Sequence, residues 1–116
     1  MLKEDKLAQI IAEACQDEKA QDVVILDVSE LTIIADYFII ASGKSTIQVK
    51  SIVDYAEATL EEYDISPIRR EGHQQGVWAV LDYGSIILHV FRNEEREYYA
   101  LENLWGDARR VAFETV

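Results

Sequence analysis

Gly43-Lys44-Ser45 is the first place in this chain where residue types and spacing could do chemistry. In phosphate-binding loops a Gly-rich turn followed by Lys and a hydroxyl residue cradles the anion with backbone N–H groups and the Lys ammonium. That loop also needs a Gly at its head, and Phe38 stands there, inside an apolar run. Nucleoside-triphosphate hydrolysis is therefore not expected, although a helix starting at this point could hold an anion weakly. Ser42-Gly43 also has the placing of a nucleotidyltransferase site, between a strand and a helix. Such an enzyme needs several neighbouring carboxylates to hold divalent metals. Asp82 stands alone in its strand, with Val80 and Gly84 at the alternating positions. An enzyme or nucleotide-binding protein using Ser42, Gly43 and Asp82 is the alternative functional class.

His73 and His89 have Asp82 as the one further metal-ligand type between them, which is too sparse for a zinc site. No Ser or Cys lies in a nucleophile motif that His89 could serve as a base, so a hydrogen-bonding role is expected for it. Cys15 falls on an apolar helical stripe with nothing nearby to lower its pKa, and reads as a small core residue. Arg92, Arg96, Arg109 and Arg110 could make charge-assisted bonds to a partner or could be ordinary surface arginines. No metal or cofactor is called for.

The stretch that must position Asp82 and His89 runs from Val77 to Phe91. Two runs rich in β-branched and aromatic residues flank Tyr83-Gly84-Ser85, which predicts an antiparallel hairpin with a tight turn. With Gly84 and Ser85 as the turn, Tyr83 pairs with Ile86, Asp82 with Ile87, Val80 with His89 and Trp78 with Phe91. Side chains alternate between faces, so Val77, Ala79, Leu81, Tyr83, Ile86, Leu88 and Val90 form an apolar core face. The opposite face carries Trp78, Val80, Asp82, Ile87, His89 and Phe91. Large aromatics beside an acid and an imidazole suit an open protein-binding surface, where aromatic anchors concentrate. In the other arrangement both faces are covered and Asp82 and His89 pair inside.

Around the hairpin the chain reads as alternating helices and strands. Leu7, Ile10, Ile11, Ala14 and Cys15 repeat with helical spacing over about Leu2 to Glu18. Val23 to Val28 reads as a strand covered on both faces, followed by a second at Asp36 to Ser42; these two are expected at the sheet's centre. Ser45 and Gln48 form a capping box for a helix reaching about Tyr63, with Val49, Ile52, Val53, Ala56, Leu60 and Tyr63 on its buried stripe. Pro67 lies just beyond that helix, and Ile68 to Glu71 reads as a short charged edge strand. Asn93 can cap a last helix with Glu94 and Glu95 in its first turn, continuing through Tyr98, Tyr99, Leu101, Leu104 and Trp105 to a stop at Gly106. The order predicts a single-domain α/β sandwich with a mixed sheet flanked by helices, its core over about 6–109 and a tail at 110–116.

Composition narrows the function. The 116 residues suffice for one core, and 49% hydrophobic with 28% charged residues is ordinary globular composition. Eleven Lys and Arg against 22 Asp and Glu give a net charge of -11, which opposes direct nucleic-acid binding and favours a basic protein partner. One cysteine, no apolar run of membrane-spanning length and no signal-like start lead to the expectation of a cytoplasmic protein.

Three stretches in order then carry a resemblance: Asp36-Tyr37-Phe38-Ile39-Ile40-Ala41-Ser42-Gly43; Trp78 through Asp82-Tyr83-Gly84 to His89-Val90-Phe91-Arg92; and Glu97-Tyr98-Tyr99-Ala100-Leu101-Glu102-Asn103-Leu104-Trp105. Together, over roughly Lys6 to Arg109, the chain resembles the ribosomal silencing factor family, also called RsfS or Iojap-related. The resemblance implies a nucleotidyltransferase-like fold without the catalytic carboxylates and no enzymatic activity. It implies binding to the large ribosomal subunit through ribosomal protein L-fourteen, blocking small-subunit joining and repressing translation under nutrient limitation. The absence of an Arg-rich leader leads to the expectation of a bacterial member rather than an organellar one. Read with the face pattern, it puts Trp78, Asp82, His89 and Phe91 on the contacting face, with Arg92, Tyr98, Tyr99 and Glu102 at its edge. An exposed Trp78 and Phe91 would also invite a homodimer when the protein is free.

Overall fold

A computed structural model describes residues 3–99, 103 and 105–111, with backbone alone at 98 and 99. Along the chain run α1 (Glu4–Asp17), β1 (Gln21–Asp27), β2 (Tyr37–Gly43), α2 (Thr46–Glu61), β3 (Arg69–Glu71), β4 (Trp78–Asp82), β5 (Ile86–Arg92), α3 (Asn93–Tyr99) and β6 (Arg109–Val111). Among the described residues the strands make one six-stranded sheet in the order β3-β4-β5-β2-β1-β6. Only the central β2–β5 pair is parallel, so the sheet is mixed as predicted.

The sheet's centre differs from expectation. β2 and β5 occupy it, and β1 lies one place from the edge, covered there by β6. β1 carries a register shift between Gln21 and Val24, with Asp22 at φ 50°, and only Ile25 and Leu26 within it are fully buried. A bulge of this kind breaks the ladder and turns the strand end aside, which a hydrophobic run alone does not announce.

Helices α1 and α2 cover one face. Leu7, Ile11 and Cys15 from α1 and Val49, Ile52, Val53, Ala56 and Leu60 from α2 meet Ile25, Ile39, Ala41, Ala79, Leu81, Ile86, Leu88 and Val90. Each of the larger aliphatic side chains contributes about 1.5–3 kcal/mol by leaving water. The start of α2 is the predicted cap: Ser45 Oγ accepts from Gln48 N–H at 3.1 Å. The Gln48 side chain reaches back one residue further than a standard box, its Oε1 accepting from Lys44 N–H at 2.6 Å. Its Nε2 donates to the carbonyl of Lys19 at 3.2 Å, tying the end of α1 to the start of α2.

The opposite face holds a second core of Leu26, Val28, Ala35, Phe38, Ile40, Ile87 and Phe91, against which Trp78, Val80, Trp105 and Ala108 pack. Asn93 is the first residue of α3 rather than a side-chain cap, and its Nδ2 donates to Gln21 Oε1 at 2.8 Å. Trp105 sits in a turn, where the sequence reading placed it on a helix. Leu101, Glu102 and Leu104 lie outside the described residues.

Candidate functional site

The hairpin has the predicted register. Trp78 pairs with Phe91, Val80 with His89 and Asp82 with Ile87. Tyr83 N–H donates to the Ile86 carbonyl at 2.9 Å, leaving Gly84 and Ser85 as the turn. Gly84 adopts φ 88°, a value costly for any residue with a Cβ, and its N–H donates to Asp82 Oδ1 at 2.8 Å. The core face is as expected, with Ala79, Leu81, Ile86, Leu88 and Val90 all without exposed surface.

The aromatic face is not the open surface that was expected. Phe91 is 0% exposed, Ile87 8% and His89 9%, while Trp78, Val80 and Asp82 are half-buried. Beyond α3, Trp105 and Ala108 pack against this face, the Trp105 ring lying 5.3 Å from that of Phe38, centre to centre and edge to face. Phe38 meets the His89 ring edge to face at 5.1 Å, and Trp78 stacks on Phe91 at 4.9 Å. Aromatic contacts of this geometry add about 0.5–1.5 kcal/mol each beyond their burial. The premise of the homodimer expectation, an exposed Phe91 beside Trp78, therefore does not hold.

Asp82 and His89 do not pair with each other. Asp82 Oδ2 takes an ion pair from Arg69 Nη2 at 3.1 Å across the β3–β4 ladder. His89 Nδ1 accepts from Trp78 Nε1–H at 3.2 Å, while its Nε2 is buried without a hydrogen-bond partner. Burial lowers the His89 pKa from its ordinary 6.5 to about 4, so the ring is neutral at physiological pH. Arg92 grips Glu95 with two bonds of 2.7 and 2.8 Å, and the Arg92 guanidinium holds the Glu95 carboxyl below its ordinary pKa. Tyr98 and Tyr99 lie in α3, their side chains, like Glu102, outside the described residues.

The residues of the alternative enzyme reading are not brought together. Ser42 pairs with Phe91 and Asp82 with Ile87, which separates them by roughly 13 Å along the strands as well as by the width of β5. Ser42 is buried, and its Oγ accepts from Arg96 Nη1 at 2.8 Å. Around it opens a polar cavity of about 460 Å³ that Asn93, Glu97 and Arg110 also line, a grouping the sequence reading missed because its members come from four separated segments. Among the described residues no group of His, Cys, Asp and Glu is arranged to hold a metal, and no helix is long and apolar enough to cross a membrane.

The structure is thus a small mixed-sheet α/β domain whose candidate carboxylate, Asp82, is ion-paired to Arg69 and whose second sheet face carries a largely buried aromatic layer. The chain matches the family model described as "Ribosomal silencing factor during starvation" over residues 2–116. It is 39% identical over 115 residues to the ribosomal silencing factor RsfS of Halalkalibacterium halodurans, covering 99% of this chain and 98% of that protein. A crystal structure of a Chromobacterium violaceum protein superposes with a TM-score of 0.89 at 31% identity, covering 99% of this chain and 95% of that one. A mouse protein named "Mitochondrial assembly of ribosomal large subunit protein 1" is 31% identical over 93 residues, covering 78% of this chain and 41% of its own length. The chain belongs to the ribosomal silencing factor family, a family of translation regulators.

Proposed function

We propose that this protein binds the large ribosomal subunit through ribosomal protein L-fourteen, blocks joining of the small subunit and so represses translation when nutrients are limiting, acting in the cytoplasm and without catalysis. The observation that carries the reading is the family match along residues 2–116. The name of the mouse relative, which concerns assembly of a large ribosomal subunit, supports the choice of subunit. Net charge supports the choice of partner: a chain at -11 is repelled by bare RNA and attracted to a basic ribosomal protein. Blocking by occupancy requires no turnover, in keeping with the separation of Ser42 from Asp82.

Within this reading the half-buried Trp78 and the Arg92–Glu95 pair are the accessible members of the contact surface, with Tyr98, Tyr99 and Glu102 assigned to its edge. Phe91 and His89 act as positioning residues that fix the Trp78 ring by stacking and by the Nδ1 hydrogen bond. The test is co-sedimentation of the purified protein with isolated large and small bacterial ribosomal subunits, followed by a subunit-joining assay at the same concentrations. Binding to the large subunit alone with loss of joining is expected. Binding to neither subunit, or binding that leaves joining intact, overturns the reading.

A further inference from the structure

The connection between β1 and β2 exposes apolar side chains that the fold does not use. Ile33 is 105% exposed, Ile34 66% and Leu31 44%. Isolated exposed aliphatics are common, but three within four residues of one short connection are not a scatter. Its backbone is held by bonds of its own: Leu31 and Thr32 N–H donate to the Val28 carbonyl at 2.9 and 3.1 Å, and Ile34 N–H donates to Thr32 Oγ1 at 3.1 Å. The far end is pinned to the hairpin turn, where Asp36 and Tyr37 N–H both donate to the Ser85 carbonyl at 2.7 and 3.1 Å. At the same turn stands Ile68, 70% exposed, its Cδ1 3.2 Å from the position a Cβ on Gly84 would take. One end of the sheet thus presents Leu31, Ile33, Ile34 and Ile68 on a pre-ordered scaffold, so little loop entropy is lost when something covers them.

Charge selects the occupant. Of the acids at this end, Asp27 and Asp82 are neutralised within the chain by Arg109 and Arg69. Glu30 and Asp36 are exposed and in no ion pair among the described residues; Lys3, Glu4 and Asp5 lie beside Asp36 and Asp107 lies beside Glu30, so negative charge predominates around the apolar residues. A second copy of a chain at -11 would bring like charges together here.

We infer that the Leu31–Ile34 connection, with Ile68 beside it, is a docking edge for a basic protein surface that offers an apolar recess rimmed by Lys or Arg. The inference rests on the proposed function, and the basic protein is then one on the large ribosomal subunit. The experiment is co-sedimentation with purified bacterial large subunits of the wild type, the Ile33→Asp/Ile34→Asp variant and the Glu30→Lys/Asp36→Lys variant, after thermal melts of each. Both changes fall on exposed side chains, so melting temperatures stay at the wild-type value. Roughly tenfold or weaker binding by each variant is expected, with a shallower salt dependence for the charge-reversed one. Wild-type affinity in the Ile33→Asp/Ile34→Asp variant overturns the docking edge and leaves the functional reading standing. A wild type that binds no large subunit overturns the functional reading and this inference with it. A wild-type dimer that the Ile33 and Ile34 substitutions convert to monomer assigns the patch to a second copy and also overturns the inference.

Discussion

Trp78 Nε1–H donates to His89 Nδ1 across the β4–β5 pair, at 3.2 Å. A neutral imidazole accepts at one nitrogen and carries its proton on the other, so this bond puts the His89 proton on Nε2, which is buried and unpartnered. An unpartnered buried donor costs about 1–3 kcal/mol. The arrangement persists because the same ring packs between Phe38 and Phe91 and fixes the Trp78 indole.

The His89 environment makes stability fall in mild acid. Its folded-state pKa of about 4 lies below the ordinary 6.5, so between those values the unfolded chain binds a proton that the folded chain does not. The stabilisation is fully present above about pH 6.5 and is lost as pH falls toward 4, by an amount on the order of 3 kcal/mol. Urea melts at several pH values should show the wild type losing more stability across this window than His89→Phe. Parallel profiles would show that the imidazole is not the titrating group.

Two glycines at positive φ should respond differently to alanine. Gly84 sits at φ 88°, and a Cβ there would meet only the flexible end of Ile68 at 3.2 Å. Gly84→Ala should therefore cost about 1–2 kcal/mol of backbone strain. At Gly72, with φ 75°, a Cβ would lie 2.0 Å from the Trp78 carbonyl oxygen, so the start of β4 must move. Gly72→Ala should cost about 3 kcal/mol or more, and denaturant midpoints of the two variants give the comparison.

These contrasts also mark what was legible in the sequence. The hairpin register could be read because a Gly at the turn and strict alternation leave few ways to pair Trp78 with Phe91. The capping box and the α1 and α2 stripes are local signals and came through, except at Tyr63, which lies two residues past the end of α2 and is 47% exposed rather than buried. What covers the second sheet face could not be read. Trp105 and Ala108 arrive there from a segment whose periodicity fades after Gly106, and β6 is only Arg109–Val111, too short to alternate. Asp82 looked available because its partner Arg69 lies on a neighbouring strand, and a sequence pattern does not say which charges pair across a ladder. The exposed Ile33 and Ile34 could not be told from core residues, since hydrophobicity carries no record of which side chains the fold leaves outside.

Cys15 should be chemically silent in the folded protein. It has no exposed surface, and burial pushes its thiol up to about 12, so almost no thiolate exists at neutral pH. A thiol reagent added at pH 8 should react only as fast as the chain opens, with a rate that rises with denaturant in step with unfolding. A fast reaction in the absence of denaturant would mean that α1 opens locally.

Trp105 gives the most direct measure of how the second face is closed. Its ring is half-buried against Phe38 and its segment continues through Ala108 into β6, which pairs with β1 at Ile25 to Asp27. Trp105→Ala removes the edge-to-face contact and uncovers Phe38, but it leaves the α1 and α2 core untouched. The loss should be about 2–3 kcal/mol, below the ~3–5 kcal/mol of a fully buried Trp→Ala change, with Trp105→Phe recovering much of it. Amide exchange separates a local closure from a global one. If the cover is local, exchange accelerates at β6 and at the Ile25–Asp27 edge of β1, while the amides of β5 keep the protection set by global unfolding.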